Sequence, residues 1–239
     1  MKKKIIIVGA SSGIGRKMAE LYAMQGHRVG ITGRRLELLQ EIRLLFPEQI
    51  ETACFDVTGT ENITQLESLV RALGGLDLLV ISAGTGDPSE EISWQIDKTT
   101  IDTNVTGFTE IAGWAYNYFD KNGGGQLAGI SSIAAVRGGR WAPAYNASKS
   151  FQSHYLEGLS IKAYRTKKNI RITCLEPGFV DTKMAKSELL FWVVPVEKAA
   201  RQIIRAIEKG KRKAYISRRW WIIGKIMKWT PFRLFKRLG

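Results

Sequence analysis

Residues 5–15 read IIIVGASSGIG. Four β-favouring apolar residues, Ile5 to Val8, run directly into a loop that holds Gly9, Gly13 and Gly15, and a helical pattern follows from about Ile14 to Gln25. Glycine at such positions lets a backbone turn sharply and approach a ligand closely. The N–H groups that open a helix also favour a pyrophosphate. A glycine turn after a strand can equally be a plain tight connection. Its place after the first strand of an alternating pattern is what favours the phosphate reading. Lys2, Lys3 and Lys4, just before the strand, read as a solvated approach to it. The apolar run is too short for a secretory leader.

Strand-like and helix-like segments alternate onward from this stretch. KKIIIVG precedes the first helical pattern, HRVGITG precedes 36–45, and IETACFDV precedes 63–73. LDLLVISAG precedes a helix near 99–119, QLAGISS precedes 144–164, and NIRITCLEPG precedes a loop and then 196–208, with a short strand KAYIS after it. The strand-like runs are apolar on both faces, as in a parallel sheet covered by helices on both sides. The expected class is therefore α/β with a doubly wound parallel sheet: one domain over 1–216 and a C-terminal extension over 217–239.

The chain has 239 residues and a net charge of +14. Residues 209–239 hold eleven Lys or Arg and no Asp or Glu, so the remaining 208 residues carry 14 − 11 = +3. The charge thus bears on the partners of the tail and little on those of the body. Cys54 and Cys174 lie in apolar strand-like stretches and read as buried reduced thiols. The two His, one in each half, form no metal site, and no stretch approaches the roughly 20 apolar residues of a membrane span.

At the end of the second strand an acidic residue would bind a ribose 2′-hydroxyl. This chain has Arg34 and Arg35 instead. A guanidinium suits a 2′-phosphate, which points to NADP(H) rather than NAD, although two arginines opening a helix can be simple surface residues. Asp56, ending the third strand, can accept from an adenine amino group or cap the next helix.

Tyr145 and Lys149 stand four apart, on one face of a helix. An ammonium near a phenol favours the phenolate and lowers a pKa that starts near about 10. That would make Tyr145 a general acid for a ketone oxygen. A Tyr–Lys pair at this spacing occurs on many surface helices. Ser132, thirteen residues before Tyr145 at the end of a strand, places a hydroxyl at the sheet edge where open α/β folds hold ligands.

Together these pieces resemble the short-chain dehydrogenase/reductase family, with its Rossmann-like fold, from about residue 4 to 216. The matching residues are GASSGIG at 9–15, DV at 56–57, SAG at 82–84, NVTG at 104–107, SS at 131–132, YNASK at 145–149 and PGFVDT at 177–182. The resemblance implies a cofactor along Gly9, Ser11, Ser12, Gly13, Ile14 and Gly15. It would continue past Arg34, Arg35, Asp56 and Val57 to Ser82, Ala83 and Gly84. It further implies that Pro177, Gly178, Val180 and Thr182 lie along the nicotinamide. Tyr145 would exchange the proton with the substrate oxygen, and Lys149 would lower its pKa and hold the ribose. Ser132 would bond the substrate oxygen, and Asn104 would hold a water leading from Lys149 to solvent. The chain departs from the family at Val8, where Thr is usual, and at Ser82, where Asn is usual. Both usual residues are mainly structural.

The resemblance implies an NADP(H)-dependent oxidoreductase acting on a carbonyl or alcohol, with a non-catalytic nucleotide-binding regulatory or scaffold protein of the same fold as the alternative. A homodimer or homotetramer through the helices near 99–119 and 144–164 is expected, in the cytoplasm. The loop 179–195, with Leu189, Leu190, Phe191, Trp192, Val193 and Val194, suits an apolar substrate, or the packing face of a lid or partner. Trp141 is a further candidate wall. In the tail, Trp220, Ile223 and Met227 group opposite Arg218, Lys225 and Lys236, while Trp221, Ile222 and Trp229 fall on the basic side. Three readings compete there: packing on the body or a partner subunit, peripheral contact with an anionic membrane, and nucleic-acid binding. No recognition motif supports the third.

Overall fold

The computed structural model describes residues 2–182 and 191–238. Its strands are β1 (Lys4–Val8), β2 (Arg28–Gly33), β3 (Ile50–Cys54), β4 (Leu78–Ile81), β5 (Gly125–Ile130), β6 (Ile170–Pro177) and β7 (Lys213–Ile216). They form one parallel sheet in the order β3-β2-β1-β4-β5-β6-β7. Between them run α1 (Gly13–Met24), α2 (Leu36–Leu45), α3 (Asn62–Leu73), α4 (Trp94–Ile101), α5 (Phe108–Lys121), α6 (Pro143–Arg165) and α7 (Val196–Glu208).

The continuous apolar run of β1 feeds two cores, because successive side chains point to opposite faces. Ile5 and Ile7 pack with Met18 of α1, Leu39 of α2 and Ile203 of α7. Ile6 and Val8 pack with Leu66 of α3, Phe108 of α5 and Leu156 of α6. Burying one such side chain contributes roughly 1.5–3 kcal/mol, so all four β1 positions must be apolar.

β1 lies between β2 and β4, where the winding reverses and a crevice opens at the carboxyl ends of the strands. Two loops cross there. The N–H groups of Ser82 and Ala83 donate to the Val8 carbonyl at 2.8 and 2.9 Å. Gly9 has φ +86°, and a Cβ on it would lie 2.5 Å from the Ala83 nitrogen. Both backbone conformation and space therefore require glycine.

Three local expectations change. Cys54 is exposed, since β3 is an edge strand and ends there; Cys174 is buried as expected. The helix read near 99–119 begins at Trp94 and is interrupted by a π-helical turn, Asp102–Gly107. Asp56 lies beyond β3 and does not cap α3. Its Oδ1 accepts from the Thr58 N–H at 3.0 Å and the Thr58 hydroxyl at 2.9 Å, closing a turn instead.

The tail forms α8 (Arg219–Trp229) and α9 (Phe232–Leu238). α8 lies on the body. Its Gly224 is buried so close to Ile133 and Tyr215 that a Cβ there would lie 3.1 and 3.2 Å from them, tighter than ordinary contact. Arg137 Nη1 donates to the carbonyls of Met227 at 3.0 Å and Thr230 at 2.9 Å, at the end of α8, and its guanidinium lies 4.5 Å from the Phe235 ring centre in α9.

Candidate functional site

A cavity of about 1260 Å³ opens at the carboxyl edge of the sheet, from the glycine loop across to α8. One end is built by the turn between β1 and α1. The hydroxyls of Ser11 and Ser12 both accept from Arg35 Nη2, at 2.7 and 2.8 Å. Arg35 thus stands over the loop from the start of α2, with its guanidinium beside the N-terminus of α1. Arg34 is exposed and reaches Asp56 Oδ2 at 3.5 Å. Burial would raise the Asp56 carboxyl, but the Thr58 bonds and the Arg34 charge bring it below its ordinary value. Val57, Ser82, Ala83 and Gly84 continue the wall. Two expected residues stand off it. Gly15 is a packing glycine, since a Cβ there would lie 2.2 Å from the Gly9 carbonyl oxygen. Asn104 is fully buried behind the wall.

The middle of the cavity is built on α6. Tyr145 and Lys149 are one turn apart, with the Lys149 nitrogen 5.7 Å from the Tyr145 ring centre. Gly86 admits that ring, because a Cβ there would lie 2.3 Å from Cδ2 of Tyr145. Burial pushes the Tyr145 phenol up, and its hydrogen bond with Ser132 opposes this in part. The expected lowering by Lys149 is not what dominates here. Lys149 is itself buried, and desolvation lowers its pKa to about 8. Ser132 sits at the end of β5, where its hydroxyl accepts from the Ala134 N–H at 3.1 Å and opens a short 3-10 turn, Ile133–Val136.

Sequence reasoning missed Gln152. Lys149 Nζ donates to Gln152 Oε1 at 3.0 Å and to the Ile130 carbonyl at 3.1 Å. Gln152 Nε2 donates to the Asn104 carbonyl at 2.9 Å. The Asn104 amide is held in turn: its Oδ1 accepts from the Thr85 N–H at 2.9 Å, and its Nδ2 donates to the Thr85 carbonyl at 2.7 Å and the Ser148 hydroxyl at 3.0 Å. Asn104 thus connects to Lys149 through Gln152, from within the π-helical turn. Gln152 lies three residues after Lys149 on one helix face, a spacing that signals proximity but not burial.

The far end comes from the strand exit of β6 and from α8. Pro177, Gly178, Val180 and Thr182 line it, and Thr182 Cγ2 lies 3.4 Å from where a Gly13 Cβ would be. Val180 pairs with Val194, so the chain leaves and re-enters the site side by side. Leu189 and Leu190 lie outside the described residues. Trp220 of α8 covers Gly178 so closely that a Cβ there would fall 1.9 Å from its ring, and it packs edge-on to Phe179 at 5.2 Å between centroids. Ile223 and Met227 join it on the wall. The sequence groups these three on one helix face, and the fold puts that face in the site. Trp141 is exposed and does not line the cavity.

The donor set fits a dinucleotide: a glycine-lined helix start suits a pyrophosphate, and the guanidiniums of Arg34 and Arg35, with no carboxylate, follow β2 at the same edge of the cavity. Among the described residues, no cluster could hold a metal ion.

A family model described as short chain dehydrogenase matches residues 3–190. An uncharacterised oxidoreductase of Mycobacterium tuberculosis is 31% identical over 251 aligned positions, spanning 100% of this chain and 98% of that protein. Among solved structures, ElxO with NADP bound superposes with a TM-score of 0.79 at 23% identity, over 90% of this chain and 97% of that one. A 3-ketoacyl-(acyl-carrier-protein) reductase from Brucella melitensis complexed with NADH superposes with a TM-score of 0.80 at 18% identity, over 89% of this chain and 94% of that one. At these identities the two structures show the shared fold.

Proposed function

The chain belongs to the short-chain dehydrogenase family and is an oxidoreductase, and from that premise we propose that it transfers a hydride between NADP(H) and an apolar carbonyl or alcohol. The observation that carries the reading is the convergence of Ser132, Tyr145 and Lys149 on one cavity wall, beside an apolar end made by Phe179, Trp220, Ile223 and Met227. The bound nicotinamide supplies or accepts the hydride. The chain's own groups handle the proton and the oxygen. The Tyr145 hydroxyl gives its proton to the carbonyl oxygen in reduction and takes it back in oxidation. The Ser132 hydroxyl donates to the same oxygen and stabilises its developing charge. Lys149, held by Gln152 and the Ile130 carbonyl, keeps its nitrogen beside the phenol and orders the ribose hydroxyls. Asn104 positions Gln152, and through it Lys149.

Tyr145→Phe tests the proton role. Turnover on a panel of apolar ketones is expected to fall about 10²–10⁴-fold, with NADPH affinity by calorimetry unchanged. Intact turnover would refute the mechanism. Tight NADPH binding by the wild type with no turnover on any panel would instead support a regulatory nucleotide-binding protein.

The preference for NADP(H) rests on Arg34 and Arg35. Charge-assisted bonds to a phosphate contribute about 1.5–3 kcal/mol each. Arg34→Asp and Arg35→Asp are therefore each expected to lower the NADPH-to-NADH affinity ratio about tenfold or more, Arg35→Asp more strongly because Arg35 is fixed over the loop. An unchanged ratio in both would remove the 2′-phosphate assignment. The homodimer or homotetramer expected of the family would form through α5 and α6, where Phe151, Ile161 and Tyr164 are exposed.

A further inference from the structure

α8 has two apolar faces. Trp220, Ile223, Gly224 and Met227 turn inward to the body and the cavity. Trp221, Ile222, Ile226 and Trp229 turn outward and are 52%, 54%, 57% and 76% exposed. Phe232 and Leu234 of α9 extend the outward face at 71% and 55%, and Trp192 joins it, with the Arg219 guanidinium 5.8 Å from its ring centre. The charge around this surface has one sign. From 218 to 237 the chain carries Arg218, Arg219, Lys225, Lys228, Arg233, Lys236 and Arg237 with no acidic residue. Among the described residues none of these seven forms an ion pair.

Exposed tryptophans, phenylalanine and isoleucines interleaved with unpaired cations match the interface of an anionic bilayer, where aromatic rings enter the headgroup layer and cations meet lipid phosphates. A second copy of the chain would bring the same positive charge to the face and repel it. No helix among the described residues is long and apolar enough to cross a membrane, so the contact is peripheral.

We propose that α8 and α9 seat the protein on anionic membrane surfaces, with the outward face of α8 in the headgroup layer and its inward face walling the cavity. The site and the lipid are then separated by one helix. Resting on the reductase reading, this narrows the substrate to an amphiphilic carbonyl or alcohol resident in that layer.

The test uses the full chain and vesicles of phosphatidylcholine alone or with about one-third phosphatidylglycerol. Co-sedimentation of wild type is expected to be at least about tenfold stronger with the anionic vesicles and to weaken sharply in high salt. Trp221→Ser/Trp229→Ser/Phe232→Ser and Lys225→Glu/Lys228→Glu/Arg233→Glu should each lower it about tenfold or more. Neither triple variant touches the cavity, so NADPH affinity should stay unchanged and report that both are folded. Equal pelleting with neutral and anionic vesicles, or variants that pellet like wild type, overturns the proposal. So does a dimer by sedimentation velocity that dissociates in the aromatic triple variant, which would give the face to a second copy. The vesicle readout needs no turnover, so its failure is distinguishable from failure of the reductase reading.

Discussion

Lys149 places an ammonium where its partners, the Ile130 carbonyl and the Gln152 amide, are neutral, and burial lowers its pKa from 10.5 to about 8. Below pH 8 the folded protein carries the buried charge at a cost. Between about 8 and 10.5 the unfolded chain still holds a proton that the folded chain has released, so stability rises with pH in that window. Lys149→Met lacks this titration. From pH 7.5 to 10.5, urea unfolding should show wild type gaining about 3 kcal/mol relative to the variant. The raised pKa of Tyr145 acts in both proteins and cancels; that of Cys174 is opposed in part by the Lys149 charge, so both proteins carry Cys174→Ala and the comparison isolates Lys149. A flat difference would mean that Lys149 is not a strained cation. At this scale the sequence was informative where spacing implies contact, as for Tyr145 with Lys149. It was silent on Gln152, because nothing in the string marks which polar residue of a helix face is sealed from water. It was misleading on the phenol, because proximity to a cation is visible in a sequence and desolvation is not.

Among the elements, α8 depends on Arg137. The guanidinium meets the last carbonyls of the helix, which have no partner within it, and covers Phe235. Arg137→Ala should cost about 2 kcal/mol locally. Amide exchange across 219–238 is expected to accelerate by a factor of about 30, with the protection of β1 and β4 unchanged. Arg137→Lys, which keeps the charge but not the fork, should fall between. Uniform acceleration across the sheet, or none anywhere, would contradict a local clamp. The α7 boundaries, 196–208, were readable from periodicity alone. The tail was readable as a helix but its pattern looked imperfect, since a wheel assumes one apolar face. Trp221, Ile222 and Trp229 fall on the basic side because α8 is covered on one side and apolar again on the other. The π-helical turn at Asp102–Gly107 has no compositional signature.

For the whole molecule, the winding was legible because parallel strands buried on both faces read as unbroken apolar runs, and IIIV at 5–8 could occupy only the middle of such a sheet. That placement fixes the crevice between β1 and β4, and with it the position of every motif at a strand's carboxyl end. What the alternation could not convey is how the last helices fold back, since no strand register constrains them; their position follows from Gly178, Gly224 and Arg137, three residues far apart in the chain. The contact of Trp220 with Gly178 has a thermodynamic consequence. A ligand seated against Trp220 shares a wall with the helix whose other face meets the surroundings, so the two binding free energies are linked to the extent that either partner shifts α8. By reciprocity, whatever factor a membrane applies to ligand affinity, the ligand applies to membrane affinity.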